Sequence, residues 1–301
     1  MEKFYEPISN DDILTIANKY YDEKQHLTEW KKRPKAIFIA GQSGAGKTKA
    51  ANLVKVELKN IGGYIPVDAD RMREELPTGG IAYPSEQTQD DAAKLVKELR
   101  DRIVSEKRNF FEEGTFRNSE AVKQAVNALK IYEYQTEMVA VATNFEQSLL
   151  GIYERYERQI NSGASNPRLV PADYHQNAFD GFTNMFQENA NLFDRVRVVN
   201  RSGQELFDSQ KHDNKTAYEA LLSGRKLSVQ DLKDIQTGWE RVIESAKQRG
   251  NVAEQYMSSI VAHKNKVSAE LRKELFKPER VTEKAVSEKI SVQKNKPKNR
   301  F

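Results

Sequence analysis

The octapeptide at residues 41–48, Gly-Gln-Ser-Gly-Ala-Gly-Lys-Thr, constrains the fold of this chain more than any other segment. It matches the pattern G-x-x-x-x-G-K-[ST], follows an apolar run at residues 36–40 and precedes a segment of helical character. Gly41, Gly44 and Gly46 can adopt positive φ angles, which lets backbone N–H groups converge on one phosphate. The next helix directs its positive dipole end at the same anion. The sequence therefore predicts a phosphate-binding loop between a buried strand and a helix.

Two side chains of this loop have predicted roles in binding ATP-Mg²⁺. Lys47 reaches the β- and γ-phosphates, and the Thr48 hydroxyl ligates Mg²⁺. The whole octapeptide is predicted to bind the nucleotide: Gly41, Gln42, Ser43, Gly44, Ala45, Gly46, Lys47 and Thr48. A glycine turn without a ligand is the alternative, but the complete motif between a strand and a helix favours nucleotide binding.

The loop alone does not distinguish an ATPase, a GTPase and a kinase. The chain has no Asn-Lys-x-Asp motif to read guanine, and no obvious apolar strand ends in the Asp or Asp-Glu of a mechanical ATPase. These absences favour a small-molecule kinase, which transfers the terminal phosphate of ATP to a hydroxyl group.

Apolar runs and helical segments alternate along the first two thirds of the chain. The runs that read as strands lie at residues 36–40, 63–67, 109–112, 138–142 and 195–199. This alternation predicts an α/β fold with a P-loop kinase-like parallel sheet flanked by helices, and ligand sites beyond the carboxyl ends of the strands. The expected regions are an N-terminal helical lead-in (1–34), the kinase core (35–213), a helical C-terminal extension (214–276) and a basic, disordered tail (277–301).

Charge and composition exclude several classes of protein. The net charge is +4, but residues 284–301 carry +5, so the rest of the chain sums to −1 and does not favour a nucleic-acid partner. The absence of cysteine excludes disulfides, thiolate zinc sites and cysteine nucleophiles. No apolar run is long enough to be a transmembrane segment, and no signal pattern opens the sequence, so we expect a soluble cytoplasmic protein.

Acidic side chains follow two of the predicted strands. Asp68 and Asp70 come about twenty residues beyond the loop, and a kinase needs a carboxylate to accept the proton of the acceptor hydroxyl. Asp70 is the candidate base and Asp68 the alternative, although Asp70 could instead cap a helix. After the third strand, Gly114 and Thr115 would turn the chain, and Glu113 could hold substrate hydroxyls or a magnesium-bound water, or else the segment is an ordinary solvated turn.

Arginines supply the positive charge that phosphoryl transfer requires. Arg155 lies on the helix after the fourth strand, and Arg168 lies in the Ser/Gly/Asn/Pro-rich loop that follows it. Together they predict a lid that closes over ATP. Arg158, one turn from Arg155, is a weaker candidate, and single surface arginines are usually only solvated charges. His175 is expected to make a structural or polar contact rather than to act as a base.

The ordered set of these motifs resembles the zeta-toxin family over roughly residues 34–208. The resemblance rests on the loop, Asp-x-Asp at 68–70, Glu-Gly-Thr-x-Arg at 113–117, Glu-Arg-Tyr-Glu at 154–157, Arg-x-x-Pro at 168–171 with His175, and Val-Asn-Arg-x-Gly at 199–203. Members of that family are toxins of toxin–antitoxin modules that phosphorylate UDP-N-acetylglucosamine. The resemblance therefore implies a sugar-nucleotide substrate, growth arrest and a protein antitoxin.

Roles carried over by this resemblance fall on individual positions. Asp70 resembles the base for the sugar 3′-hydroxyl, and Lys47, Arg155 and Arg168 complete the implied catalytic set. The substrate contacts implied are Glu98, Glu113, Thr115 and Arg117. The helix after residue 117 lacks the threonines expected to help hold the sugar nucleotide. The alternatives are a kinase of another acceptor (a nucleoside, a dinucleotide, an antibiotic or a polynucleotide 5′ end) and a non-catalytic ATP-binding interaction protein.

Overall fold

The structure is a computed structural model that describes residues 4–276 except 82, 84, 165–166 and 212–213. The predicted basic tail at residues 277–301 lies outside the described residues, as does part of the predicted lid loop. The strands are β1 (Lys35–Ala40), β2 (Ile65–Asp68), β3 (Phe110–Gly114), β4 (Gln135–Ala142), β5 (Arg195–Asn200) and β6 (Glu205–Asp208). The helices are α1 (Asn10–Lys24), α2 (Lys47–Lys59), α3 (Ala69–Glu74), α4 (Ser85–Ser105), α5 (Ser119–Ile131), α6 (Phe145–Asn161), α7 (Ala172–Asn189), α8 (Ala217–Gly224), α9 (Val229–Arg249) and α10 (Glu254–Leu275).

One six-stranded sheet has the order β2-β3-β1-β4-β5-β6. The first five strands of the chain pair in parallel, whereas β6 runs antiparallel to β5 at the edge. The predicted α/β class and P-loop kinase-like sheet are therefore confirmed, with one antiparallel strand that the apolar runs did not predict. A short turn makes this reversal possible, because Gly203 adopts a φ of 87° and the Asn200 N–H donates to the Gln204 carbonyl.

The central strand β1 is buried on both faces, as its continuous apolar sequence predicts. Phe38 belongs to the larger hydrophobic cluster on one side of the sheet, and Ile37 and Ile39 belong to the cluster on the other side. Successive side chains of a strand point to opposite faces, so one strand anchors both helical layers. The phosphate-binding loop therefore starts from a strand that is buried on both faces.

The C-terminal extension is helical, as predicted. Helix α8 lies against β4 and β5, and its Leu221 belongs to the main core cluster. Helices α9 and α10 pack on each other, and α9 packs on α6 around the buried Trp239. Region boundaries at residues 34 and 213 remain predictions, since α1 and α8 both contribute side chains to the main core.

Candidate active site

A cavity of about 720 Å³ lies beyond the carboxyl ends of the parallel strands. Its walls come from the loop after β1, the acidic segments after β2 and β3, helix α6 and the segment that precedes α7. The predicted residues that line it are Ser43, Gly44, Ala45, Gly46, Lys47, Thr48, Asp70, Glu113, Thr115, Arg155 and Arg168. This volume is in the range of cavities that bind small molecules.

The phosphate-binding loop has the backbone conformation that its glycines allow. Gly44 and Gly46 have φ angles of 74° and 87°, and Gly46 is the N-cap of α2. The Lys47 ammonium donates to the carbonyls of Gly41, at 2.8 Å, and Gln42, at 3.3 Å. Burial lowers the pKa of Lys47 to about 8. A phosphate in the loop would offer this ammonium a full negative charge in place of carbonyl dipoles.

Gln42 supports the loop from behind and does not line the cavity. Its side-chain amide is fully buried and donates to the Thr143 carbonyl at 2.9 Å and to the Ser148 hydroxyl at 3.1 Å. The Ser148 hydroxyl also lies 3.0 Å from Nε2 of His175, a buried imidazole whose pKa is lowered to about 4 by desolvation. Gly41 is likewise absent from the cavity lining. These residues fix the loop's shape, and the nucleotide contacts predicted for Gly41 and Gln42 remain predictions, because neither residue lines the cavity.

Asp70 lies in the first turn of α3 with its carboxylate between two arginines. Its Oδ1 is 2.6 Å from Arg73 and 2.9 Å from Arg168. Burial raises the pKa of Asp70, but the two arginines outweigh this and hold the pKa below its ordinary value. Asp68, rather than Asp70, is the cap of α3, because its side chain accepts from the Asp70 N–H at 2.8 Å. Asp70 is therefore free of the capping role and ionised at neutral pH.

Glu113, the penultimate residue of β3, lies directly opposite Asp68 in the parallel register. Burial, followed by the negative charge of Asp68, raises the pKa of Glu113. Both carboxylates line the same cavity as Thr48, and Mg²⁺ prefers oxygen ligands and usually shares substrate phosphates as ligands. The described residues contain no group of three or more His, Asp or Glu side chains able to hold a metal alone. Thr48, together with the phosphates of a bound nucleotide, could hold a Mg²⁺ ion here.

Arg155 and Arg168 both face the cavity, as the predicted lid requires. Burial, followed by the charge of Arg168, lowers the pKa of Arg155. The Arg155 Nε is buried and has no hydrogen-bond partner among the described residues. Arg158 also lines the cavity. A cluster of cations with an unpaired buried donor is suited to an anion with several oxygens.

Two predicted substrate contacts do not line this cavity. Glu98 lies on α4 and is 3.3 Å from Lys97 in an ion pair. The Arg117 guanidinium lies 4.5 Å from the ring centre of Tyr174, which does line the cavity. The Arg117 guanidinium is thus connected to the cavity wall through the ring of Tyr174, whereas the ion pair of Glu98 with Lys97 involves no residue that lines the cavity.

Besides Tyr174, sequence reasoning missed three polar residues of the lining. Arg73 follows Asp70 by one helical turn, Gln89 accepts from Arg73 at 3.0 Å, and Arg201 follows β5. Arg73 could have been found from its i,i+3 spacing to Asp70 if the short helix α3 had been predicted. Arg201 could have been found from its place at the carboxyl end of a parallel strand.

No helix in the described part of the chain is both long and apolar enough to cross a membrane. This finding agrees with the short apolar runs of the sequence.

Comparison with known proteins identifies the family of this chain. The toxin PezT of Streptococcus pneumoniae serotype 4 is 29% identical over 228 residues, covering 71% of this chain and 87% of PezT. A structure from the PezAT chromosomal toxin–antitoxin system of S. pneumoniae has a TM-score of 0.67 at 25% identity, covering 80% of this chain and 99% of that one. An AvrRxo1-ORF1:AvrRxo1-ORF2 structure with sulphate ions, 16% identical with a TM-score of 0.50 and 87% coverage of both chains, shares the fold alone. The family model described as zeta toxin matches residues 18–213, so this chain belongs to the zeta toxin family.

Proposed function

We propose that this protein is an ATP-dependent kinase that phosphorylates the 3′-hydroxyl of the sugar of UDP-N-acetylglucosamine. The observation that carries the proposal is the position of Asp70, an ionised carboxylate in the same cavity as the phosphate-binding loop and within 2.9 Å of the lid residue Arg168. A base, a phosphate-binding loop and cations around one space are the parts that phosphoryl transfer needs. Family membership and the ordered motifs support the sugar nucleotide as acceptor.

The proposed reaction uses these groups in sequence. The Asp70 carboxylate accepts the proton of the sugar hydroxyl while the hydroxyl oxygen attacks the γ-phosphorus of ATP. The bond between the γ-phosphorus and the oxygen that bridges to the β-phosphate breaks, and ADP is released. Lys47 stays with the β- and γ-phosphates, and Arg155 and Arg168 neutralise the charge on the transferring group. A Mg²⁺ ion, held through Thr48, would supply further positive charge to the phosphates. Because Arg168 pairs with Asp70 before the nucleotide binds, the γ-phosphate must draw Arg168 away from Asp70, which makes Asp70 a stronger base.

The proposed physiological role is that of a growth-arresting toxin. Phosphorylating UDP-N-acetylglucosamine would withdraw it from cell-wall synthesis, and a protein antitoxin would be needed to neutralise the enzyme. Membership in the zeta toxin family and the structural likeness to a toxin–antitoxin system support this role.

A mass-spectrometric assay tests the proposal. Purified protein is incubated with ATP, Mg²⁺ and a panel of sugar nucleotides, nucleosides and oligonucleotides, with Lys47→Ala as the matched control. We expect a phosphate added to UDP-N-acetylglucosamine in molar excess over enzyme, and no product with Lys47→Ala. Turnover of a different acceptor would refute the substrate, and ATP binding without turnover of any acceptor would favour the non-catalytic alternative.

A further inference from the structure

Arg201 is a cation of the cavity to which the reaction above gives no role. It follows β5, and its Nη1 donates to the carbonyls of Gly44, at 2.8 Å, and Gln147, at 2.9 Å. These bonds tie the guanidinium to the phosphate-binding loop and to α6. Its Nε and Nη2 make no hydrogen bond to any described residue, although the residue lines the cavity.

Two glycines make room for the Arg201 side chain. A Cβ at Gly46 would lie 3.0 Å from the Arg201 Cγ, and a Cβ at Gly151 would lie 2.8 Å from its Nη2. Any other residue at Gly151 would therefore push the guanidinium away from the wall of the cavity. The Arg201 guanidinium therefore packs against both the phosphate-binding loop and α6, and its Nε and Nη2 lie beside these two elements.

The charge of Arg201 has no matching carboxylate. Burial lowers its pKa, and only Glu154 opposes this effect by raising it. Glu154 pairs with Arg241 at 3.2 Å, and no described carboxylate lies within ion-pair distance of Arg201. A partly buried cation that contacts only carbonyl oxygens is stabilised when an anion binds beside it.

The order of the strands indicates which part of a nucleotide lies near Arg201. Asp70 follows β2 and Glu113 lies near the end of β3, and both strands are on one side of the phosphate-binding loop that follows β1. Arg201 follows β5, on the other side of this loop. The γ-phosphate must face Asp70 for transfer. The phosphate chain then runs across the loop, and its nucleoside end lies on the side of β4 and β5, where Arg201 stands.

We propose that Arg201 binds the α-phosphate of the nucleotide and so positions the nucleoside end of ATP. Its fixed Nη1 leaves Nη2 and Nε to donate to the non-bridging oxygens, a geometry that guanidinium groups favour with phosphate. This inference rests on the proposed ATP-dependent activity for its ligand, but it requires no particular acceptor.

Calorimetric titration with Mg²⁺-ADP tests the contact without needing any transfer. Arg201→Gln should weaken ADP binding roughly 10- to 100-fold, the loss typical of a hydrogen bond to a charged group. Arg158→Gln is the matched control, because it removes the same charge from the lid side of the same cavity. Equal losses in the two variants, or unchanged ADP affinity in Arg201→Gln, would overturn the proposal.

A second test compares the dissociation constants of the two diastereomers of ADPαS. These differ only in the position of sulfur on the α-phosphate, so the ratio of their dissociation constants would not change if Arg201 had only a structural role. Arg201→Lys keeps the charge but changes the donor geometry, so the ratio of the two dissociation constants should shift at least several-fold from wild type. An unchanged ratio would refute the α-phosphate contact and favour stacking on the base. If the melting curve shows that Arg201→Gln does not fold, the ADPαS ratio of Arg201→Lys still tests the contact between Arg201 and the α-phosphate. The proposed acceptor and the Arg201 contact can fail separately. If Arg201→Gln loses ADP affinity but the wild-type protein does not turn over UDP-N-acetylglucosamine, the acceptor is refuted and the Arg201 contact is supported.

Discussion

Replacing Asp70 with Asn separates the chemistry of the site from its stability. The substitution keeps the shape of the side chain and removes the charge that would accept the proton. A positioned general base contributes roughly 10²- to 10⁴-fold to rate, so kcat should fall by that factor, which corresponds to about 3–5 kcal/mol of barrier. Stability should change far less, because the Asp70 side chain is 56% exposed and partly exposed ion pairs contribute at most about 1 kcal/mol each.

The same substitution has a distinctive consequence for ATP binding. Arg168 is 2.9 Å from Asp70 before the nucleotide binds, so Asp70 competes with the γ-phosphate for this cation. Without that competition, the dissociation constant for ATP should stay the same or decrease while kcat falls. Ordinary damage to the site would weaken binding and rate together.

Asp68→Asn is the matched control for Asp70→Asn. It removes one negative charge two residues away, and asparagine caps helices as well as aspartate does, so the start of α3 is preserved. The measurements are initial rates of phosphate transfer from labelled ATP, ATP titration calorimetry and thermal melts for both variants. Asp70→Asn activity above about a tenth of wild type, or a larger loss in Asp68→Asn, would refute Asp70 as the base.

Three further predictions concern the cations and the helix that carries Arg155. Arg155→Gln and Arg168→Gln should each lower kcat at least about tenfold with little change in ATP affinity, measured by steady-state kinetics, and unchanged kcat in both would refute the lid. A bound phosphate should raise the lowered pKa of Lys47, because its negative charge stabilises the ammonium. ATP affinity measured by calorimetry should therefore be constant below about pH 8 and fall as the pH rises above about 8. An affinity that stays constant up to about pH 9.5 would refute this. Glu157→Ala should cost about 3–5 kcal/mol of unfolding free energy in urea titrations, because it leaves Arg249 without its buried partner, and Glu157→Gln should cost less.

The sequence was sufficient for the elements whose signal is local. The strand β1 and the loop after it were predicted because a continuous apolar run and a complete phosphate-binding pattern each need only adjacent residues. Strand β6 was not predicted, because residues 205–208 are not a continuous apolar run, and helix α3 was raised only as the alternative in which Asp70 caps a helix. Both elements are stabilised by neighbouring residues: β6 pairs with β5, and the Asp68 side chain caps the N-terminus of α3.

The topology of the sheet brings predicted site residues together. Asp70 and Glu113 line one cavity with the loop because parallel strands end at one edge of the sheet, and the sequence identified those ends. Gln42 was predicted to bind the nucleotide with the rest of the loop, but the loop pattern gives positions and not side-chain directions, and this side chain points away from the cavity. Arg201 lies in the motif at residues 199–203, but its contacts with the loop and α6 depend on its neighbours Gly46 and Gly151, which come close only in the folded chain.

Helix α6 connects the cavity to the C-terminal extension, because one side of the helix lines the cavity and the other packs on α9. Arg155 and Glu157 are two positions apart, so they project from nearly opposite sides of the helix. The buried Glu157 carboxylate accepts hydrogen bonds from Ser245, Arg249 and Tyr256 at 2.7–2.9 Å. These bonds and the hydrophobic cluster around Trp239 hold α6 from behind, while its other side presents Arg155 to the cavity. Because transition-state stabilisation depends on cations that are fixed before reaction, we expect the helices after residue 224 to support the rate of the proposed reaction without contacting a substrate.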